Sequence, residues 1–196
     1  MSSEAARQSL DAGRGFARLE PMLARRFAAA LALLLMLAPA LLAQSAAPDE
    51  GRKGGVTGLP VPRFVSLRAD EVNLRTGPGI RYPIDWVYQR RGLPVEVIDE
   101  FEAWRRIRDR EGTTGWVHQS MLAADRTAVV VGERRKLRET AGAESEPVAW
   151  LEPGVIVTLQ RCAETWCEAI ATDAGESYRG WLGKDEIWGV YPDEVL

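Results

Sequence analysis

Short apolar runs separated by Gly and Pro turns fill residues 72–122, and they restrict what this chain can fold into. Val72 and Leu74 share one face of a run, as do Val95 and Val97, which is the alternation of a half-buried strand. Each run is too short for a helix and is closed by a turn signal. The pattern predicts a small antiparallel β unit with a core of six residues, namely Leu74, Val87, Val95, Val97, Ile107 and Val117.

A second, altered copy follows when the sequence is shifted by about 62–65 positions. Leu74-Arg75 meets Leu137-Arg138, Trp104 meets Trp166, and Gly115-Trp116 meets Gly180-Trp181, while a fourth pairing places Trp86 opposite Trp150. These landmarks predict two tandem domains, residues 64–125 and residues 126–196. The only helical feature expected in the first is a single turn near residues 119–122.

Residues 1–43 have the form of an export signal. Arg25 and Arg26 precede the apolar run FAAALALLLML, and Ala-rich cleavage candidates follow it. Translation from Met22 would give a signal of ordinary length. The run is short for a bilayer, so cleavage is favoured over an uncleaved anchor in the inner membrane. Residues 44–63 are rich in Gly, Ser, Ala and Pro and are predicted to be a flexible linker.

Charge and residue types argue against several function classes. Without residues 1–43 the chain has 20 basic and 25 acidic side chains, a balance unsuited to a nucleic-acid partner. An exported chain favours a disulfide between Cys162 and Cys167. These two thiols and His118 are too few for a zinc site. No metal, cofactor or catalytic residue is predicted, and the chain is expected not to be an enzyme.

Three motifs in order resemble the bacterial SH3-like domain family. They are N-x-R-x-G-P-G from Asn73, W-x-x-I from Trp104, and G-W-V-H from Gly115. The resemblance implies two small SH3-like antiparallel β-barrels and a scaffold for binding. Tandem SH3-like proteins exported by Gram-negative bacteria also look like this chain, including the Cys pair in the second copy. That similarity implies a periplasmic location.

The candidate ligand site is the aromatic shelf beside the Gly77-Pro78-Gly79 loop, where glycine is expected to supply a positive φ. Its members are Asn73, Tyr82, Trp86 and Tyr88, because flat rings offer large contact areas at little entropy cost. The repeat-defining tryptophans are interpreted as packing residues. His118 is interpreted as a turn residue that hydrogen-bonds the backbone.

Two binding functions follow from these residues. The first is recognition of cell-wall material, as the peptide or glycan of peptidoglycan, by analogy with the family. The alternative is an envelope adaptor that binds an extended peptide of another protein.

Overall fold

The computed structural model describes residues 52–196, which form an all-β protein of two antiparallel sheets. The predicted signal segment and the start of the predicted linker lie outside these residues. Within the described part, no helix is long and apolar enough to cross a bilayer. The strands of the first sheet are β1 Arg63–Leu67, β2 Val72–Arg75, β3 Ile84–Tyr88, β4 Pro94–Phe101, β5 Trp104–Arg108, β6 Thr114–His118 and β7 Leu122–Ala123.

The second sheet repeats this arrangement. Its strands are β8 Thr127–Val130, β9 Arg135–Arg138, β10 Pro147–Leu151, β11 Ile156–Ala163, β12 Trp166–Asp173, β13 Glu176–Gly183 and β14 Ile187–Trp188. The spatial orders β3-β2-β6-β5-β4-β1-β7 and β10-β9-β13-β12-β11-β8-β14 are equivalent. Neither sheet closes into the barrel that was expected, because β3 and β7, or β10 and β14, are left as edges. The tandem all-β prediction is confirmed.

The first core follows the alternation read from the sequence, with one exception. Five of the six predicted core residues are buried, but Val87 is only half-buried. Tyr88 is buried in its place, at 6% exposure. The single 3₁₀ turn Gln119–Met121 lies where one helical turn was predicted, and Lys184–Glu186 is its counterpart in the second repeat.

The strand register confirms most of the repeat alignment. Gly115 and Gly180 occupy identical sites, where an added Cβ would lie 2.6 Å from Leu74 Cγ or 2.8 Å from Leu137 Cγ. Both positions therefore need glycine so that two strands can approach closely.

The pairing of Trp86 with Trp150 is wrong by one residue. Leu74 faces Trp86, whereas its counterpart Leu137 faces Ala149. Trp150 therefore corresponds to Val87 and lies on the opposite face of its strand from the one Trp86 occupies. A one-residue slip has this effect because side chains alternate between faces.

The linker prediction does not hold for residues 52–62, which form an ordered strap against the first repeat. Lys53 pairs with Pro60, and Glu100 accepts hydrogen bonds from the amides of Val56 and Thr57 at 3.1 and 2.8 Å. The Thr57 hydroxyl donates to the same carboxylate at 2.7 Å, and Arg63 donates at 2.8 Å. Burial opposes ionisation of this carboxyl, but the hydrogen bonds outweigh it and lower the pKa of Glu100 to about 2.

Cys162 and Cys167 form the predicted disulfide across β11 and β12. The equivalent cross-strand position in the first repeat is occupied by Glu100 opposite Arg105, whose Nε lies 3.6 Å from the carboxylate. A covalent link in one repeat thus takes the place of a buried ion pair in the other. The disulfide strand also exchanges backbone hydrogen bonds with the chain end at Leu196.

Aromatic and polar contacts join the two repeats. The Phe64 ring lies 5.0 Å from the Trp188 ring and 4.7 Å from the Tyr191 ring. The Tyr191 hydroxyl donates to Glu96 Oε1 at 2.8 Å, and the Thr127 hydroxyl donates to the carbonyl of Gly92 at 2.8 Å. Side chains of the first repeat are therefore held in fixed positions beside the second.

Candidate functional site

The loop between β2 and β3 is held in place by hydrogen bonds from the side chain of Arg75. Its Nη1 donates to the carbonyls of Ile80 at 3.2 Å and Tyr82 at 2.8 Å. Backbone bonds from Thr76 to Pro83 and from Tyr82 to Gly79 close the loop on itself. The arginine of the N-x-R-x-G-P-G motif therefore shapes the loop through the loop carbonyls.

Gly77 is required by the ring of Tyr82. A Cβ at Gly77 would lie 2.5 Å from Tyr82 Cδ1, a distance no side chain can occupy. Neither Gly77 nor Gly79 has a positive φ, so the conformational reason expected from the sequence is wrong. Glycine serves close approach here, and the ring supports the loop from one side.

The facing wall is built from the β4–β5 turn and the end of β6. Phe101 is 49% exposed at the turn, and Glu102 follows it with a φ of 49°. The Trp104 ring meets the His118 ring edge-on, with centroids 5.4 Å apart. His118 Nδ1 accepts from the Ser120 amide at 3.3 Å and lies 2.7 Å from Ser120 Oγ. His118 caps the 3₁₀ turn, which confirms its predicted backbone hydrogen bond.

Between these walls lies an open groove of about 550 Å³, within the range of small-ligand and peptide sites. We call it the loop groove. Ile80 at its rim is 84% exposed, the highest value among the exposed large hydrophobic residues within 52–196. Arg81 and Glu102 place opposite charges on its two walls. The loop groove is lined by Pro78, Gly79, Ile80, Arg81, Phe101, Glu102, Trp104 and His118.

The four residues predicted from the sequence are not brought together as a shelf. Asn73 is half-buried in β2 opposite Val87, and Tyr82 is half-buried against Gly77. Trp86 is 57% exposed on the edge strand β3. No ring pair within residues 52–196 joins Tyr82 to Trp86.

Tyr88 does not fit the predicted shelf, because it is part of the core. Its hydroxyl donates to Asp109 Oδ2 at 2.9 Å, and burial together with that bond raises the pKa of the phenol. Trp86 and Tyr88 do share one face of β3, as the alternation predicted. That face is solvent-exposed at Trp86 and continues into the core at Tyr88.

The sequence pattern does not predict Ile80 and Phe101 as part of a binding site. Each is a large apolar side chain at a turn: one follows the Gly-Pro-Gly loop and the other stands between acidic residues at a hairpin end. An apolar residue in such a turn is a signal for binding, since turns are usually polar.

The second repeat lacks the equivalent groove walls. The register places Ala143 at the position of Ile80, Ala163 at that of Phe101, and Gly183 at that of His118. The loop there carries Glu139, Glu144 and Glu146 and has no aromatic residue.

The tryptophan that corresponds to Trp104 has an arginine stacked on it in the second repeat, although both tryptophans are half-buried. The Arg138 guanidinium lies 5.1 Å from the centre of the Trp166 ring and is bonded to Glu186 at 2.8 and 3.0 Å. The open groove around such a tryptophan is therefore a feature of the first repeat.

The comparison with protein families agrees with this architecture. The family model for the bacterial SH3 domain matches residues 68–123 and 131–189, together more than half of the chain. A search of curated proteins finds no match. Among solved structures the chain is similar to NlpC2 and NlpC1 from Trichomonas vaginalis, each at 10% identity and a TM-score of 0.30. These matches cover 65% and 69% of this chain and 48% of each other chain, so the chain spans about half of their length.

Proposed function

Because the chain belongs to the bacterial SH3 domain family, we propose that it is an exported, non-catalytic module that binds cell-wall peptide or glycan in the loop groove. Members of this family often bind wall components, and the disulfide suits an oxidising compartment such as the periplasm. The observation that carries the proposal is the contrast between repeats. The exposed apolar residues Ile80 and Phe101 flank Trp104 in one repeat and are alanines in the other.

The chemistry of the groove suits a peptide stem or a sugar face. Trp104 and Phe101 provide flat apolar contact, and Arg81 and Glu102 can pair with a carboxylate and an amine of the same ligand. Arg75 and Tyr82 hold the loop in place before binding, which reduces the ordering cost.

Binding without catalysis is part of the proposal. The titratable side chains lining the groove that suit proton transfer are Glu102 and His118, and His118 Nδ1 is already engaged with Ser120. A nucleophile beside a base would be needed for covalent catalysis. Release of soluble fragments from purified sacculi by the protein would contradict this part.

The test is co-sedimentation with purified peptidoglycan sacculi at low and physiological salt. The unmodified protein should sediment with the sacculi. Phe101→Ser should weaken binding roughly tenfold, which corresponds to a loss of about 1.4 kcal/mol of binding free energy. Val148→Ser, which replaces a 43% exposed apolar residue of the second repeat, is the matched control and should leave retention unchanged.

Trp86→Ala separates the loop groove from the site predicted from the sequence. Loss of retention with Trp86→Ala but not with Phe101→Ser would move the site to the edge strand. No retention of the unmodified protein, together with a single protein partner found by cross-linking in cells, would favour the adaptor alternative.

A further inference from the structure

The two repeats differ in how they fill one end of the core. In the first, Tyr88 is buried and bonded to Asp109. The register places Leu151 at the position of Tyr88, because Val72 and Arg135 are their equivalent strand partners. It places Ala171 at the position of Asp109, two residues beyond the residue that faces the strand glycine. The second repeat therefore lacks both the phenol and the carboxylate.

A cavity of about 720 Å³ opens in the second repeat at this place. Leu151 and Ala171 line it together with Trp150 and Tyr178, and Val155 and Ile156 complete its apolar part. We call it the junction cavity. Trp150 is 47% exposed, while Tyr178 is half-buried against the core. Its volume lies within the usual range for ligand sites.

The first repeat supplies the basic edge of the junction cavity. Arg90 and Arg91, from the β3–β4 turn, are exposed and line it. Neither side chain forms an ion pair or hydrogen bond to any residue between 52 and 196. The turn is anchored, because Gly92 accepts the Thr127 hydroxyl at 2.8 Å and packs beside Ile156.

The acidic residues of the lining do not cancel this basic edge. Glu152 is paired with Arg134, with Nε and Oε1 3.2 Å apart. Asp173 is the other carboxylate in the lining. Two free guanidinium groups therefore face one free carboxylate, beside an apolar and aromatic wall.

We propose that the junction cavity is a second binding site, which takes the carboxyl-terminal residue of a peptide ending in a large apolar side chain. The side chain packs against Trp150, Leu151 and Tyr178. The terminal carboxylate pairs with Arg90 and Arg91, since guanidinium groups match carboxylates in bidentate geometry. The site needs both repeats, because the second supplies the apolar wall and the first supplies the guanidinium groups of Arg90 and Arg91 that line its edge. It is independent of the loop groove.

The probe is the peptide N-acetyl-Gly-Gly-Phe with a free carboxylate, titrated into ¹⁵N-labelled protein produced from the full 196-residue sequence. The indole N–H signal of Trp150 should shift with saturation. The same peptide capped as an amide should bind at least tenfold more weakly, since the charge-assisted bonds are lost.

Two sets of variants test the geometry. Arg90→Gln with Arg91→Gln replaces exposed side chains and should weaken binding of the acid peptide at least tenfold. Arg106→Gln, an exposed arginine elsewhere in the first repeat, is the matched control and should not. Leu151→Tyr with Ala171→Asp rebuilds the filled core of the first repeat and should abolish the Trp150 shift.

Three results would overturn the proposal. They are equal binding of the acid and amide peptides, unchanged binding after the double arginine substitution, and no Trp150 shift at millimolar peptide. Retention on sacculi by the same preparation separates failure of this site from failure of the loop groove. The double arginine variant should still sediment with sacculi like the unmodified protein.

Discussion

Replacing Glu100 by glutamine should detach the strap and destabilise the first repeat in a pH-dependent way. The carboxylate side chain is fully buried and accepts hydrogen bonds from Thr57, Val56 and Arg63. These bonds lower its pKa from the usual 4.5 to about 2. That difference corresponds to about 3 kcal/mol of folding free energy at neutral pH.

The direction of the pH dependence of stability follows from the lowered pKa of Glu100. The unfolded carboxyl binds its proton at a higher pH than the folded one, so the stabilisation is complete above about pH 5. It is lost as the pH falls from about 4.5 to below 2, where the folded and unfolded carboxyls are both protonated. The glutamine variant has no such group and should lack this part of the acid destabilisation.

Urea unfolding at pH 7, 5 and 3 measures the effect. Glu100→Gln should lower the free energy of unfolding by about 3 kcal/mol at pH 7, and the gap to the unmodified protein should narrow markedly by pH 3. Glu102→Gln, which changes an exposed neighbour, is the control and should be nearly neutral. A gap that stays constant with pH, or an equal loss in the control, would show that ionised Glu100 does not stabilise the first repeat.

Three further substitutions have defined outcomes. Gly77→Ala should destabilise the loop by about 1–3 kcal/mol through overpacking, whereas Gly142→Ala, with no atom within 4 Å of its added Cβ, should be neutral in thermal unfolding. Tyr191→Phe removes a hydrogen bond between the repeats and should lower the free energy of unfolding by about 1 kcal/mol. Two separate unfolding transitions in place of one would show that the substitution uncouples the repeats. Replacing Cys162 and Cys167 by serine should lower the free energy of unfolding by about 2 kcal/mol, because the loop that the disulfide closes is short. Equal stability of the unmodified protein under reducing and oxidising conditions would contradict this.

Alternation and turn chemistry were enough to predict the tandem all-β architecture. Val95 and Val97 are buried as predicted because the period of two fixes which face of a strand packs inward. Gly115-Trp116 and Gly180-Trp181 located the second repeat because both glycines face a leucine of the neighbouring strand. Such contacts depend on local sequence, so they leave a recognisable pattern.

The candidate site was harder to predict because it depends on what adjoins each strand. Trp86 and Tyr88 are both aromatic and lie on the same face of β3, so the local sequence does not distinguish them. Tyr88 lies in the core because Asp109, which is distant in sequence, accepts a hydrogen bond from its hydroxyl. The sequence predicts a linker where the strap lies, because the strap's anchor, Glu100, is about 40 residues away and belongs to a segment of mixed charge. Long-range partners of this kind leave no periodic signal.

Chemical-shift mapping with soluble peptidoglycan fragments shows directly which surface of the protein binds wall material. If the loop groove of the first repeat binds wall material, the largest shifts should fall on the amides of Gly79, Ile80 and Phe101 and on the Trp104 indole. Signals from the second-repeat loop should stay unchanged. Shifts centred on Trp86, or no shifts at saturating fragment concentration, would show that the loop groove is not the binding site.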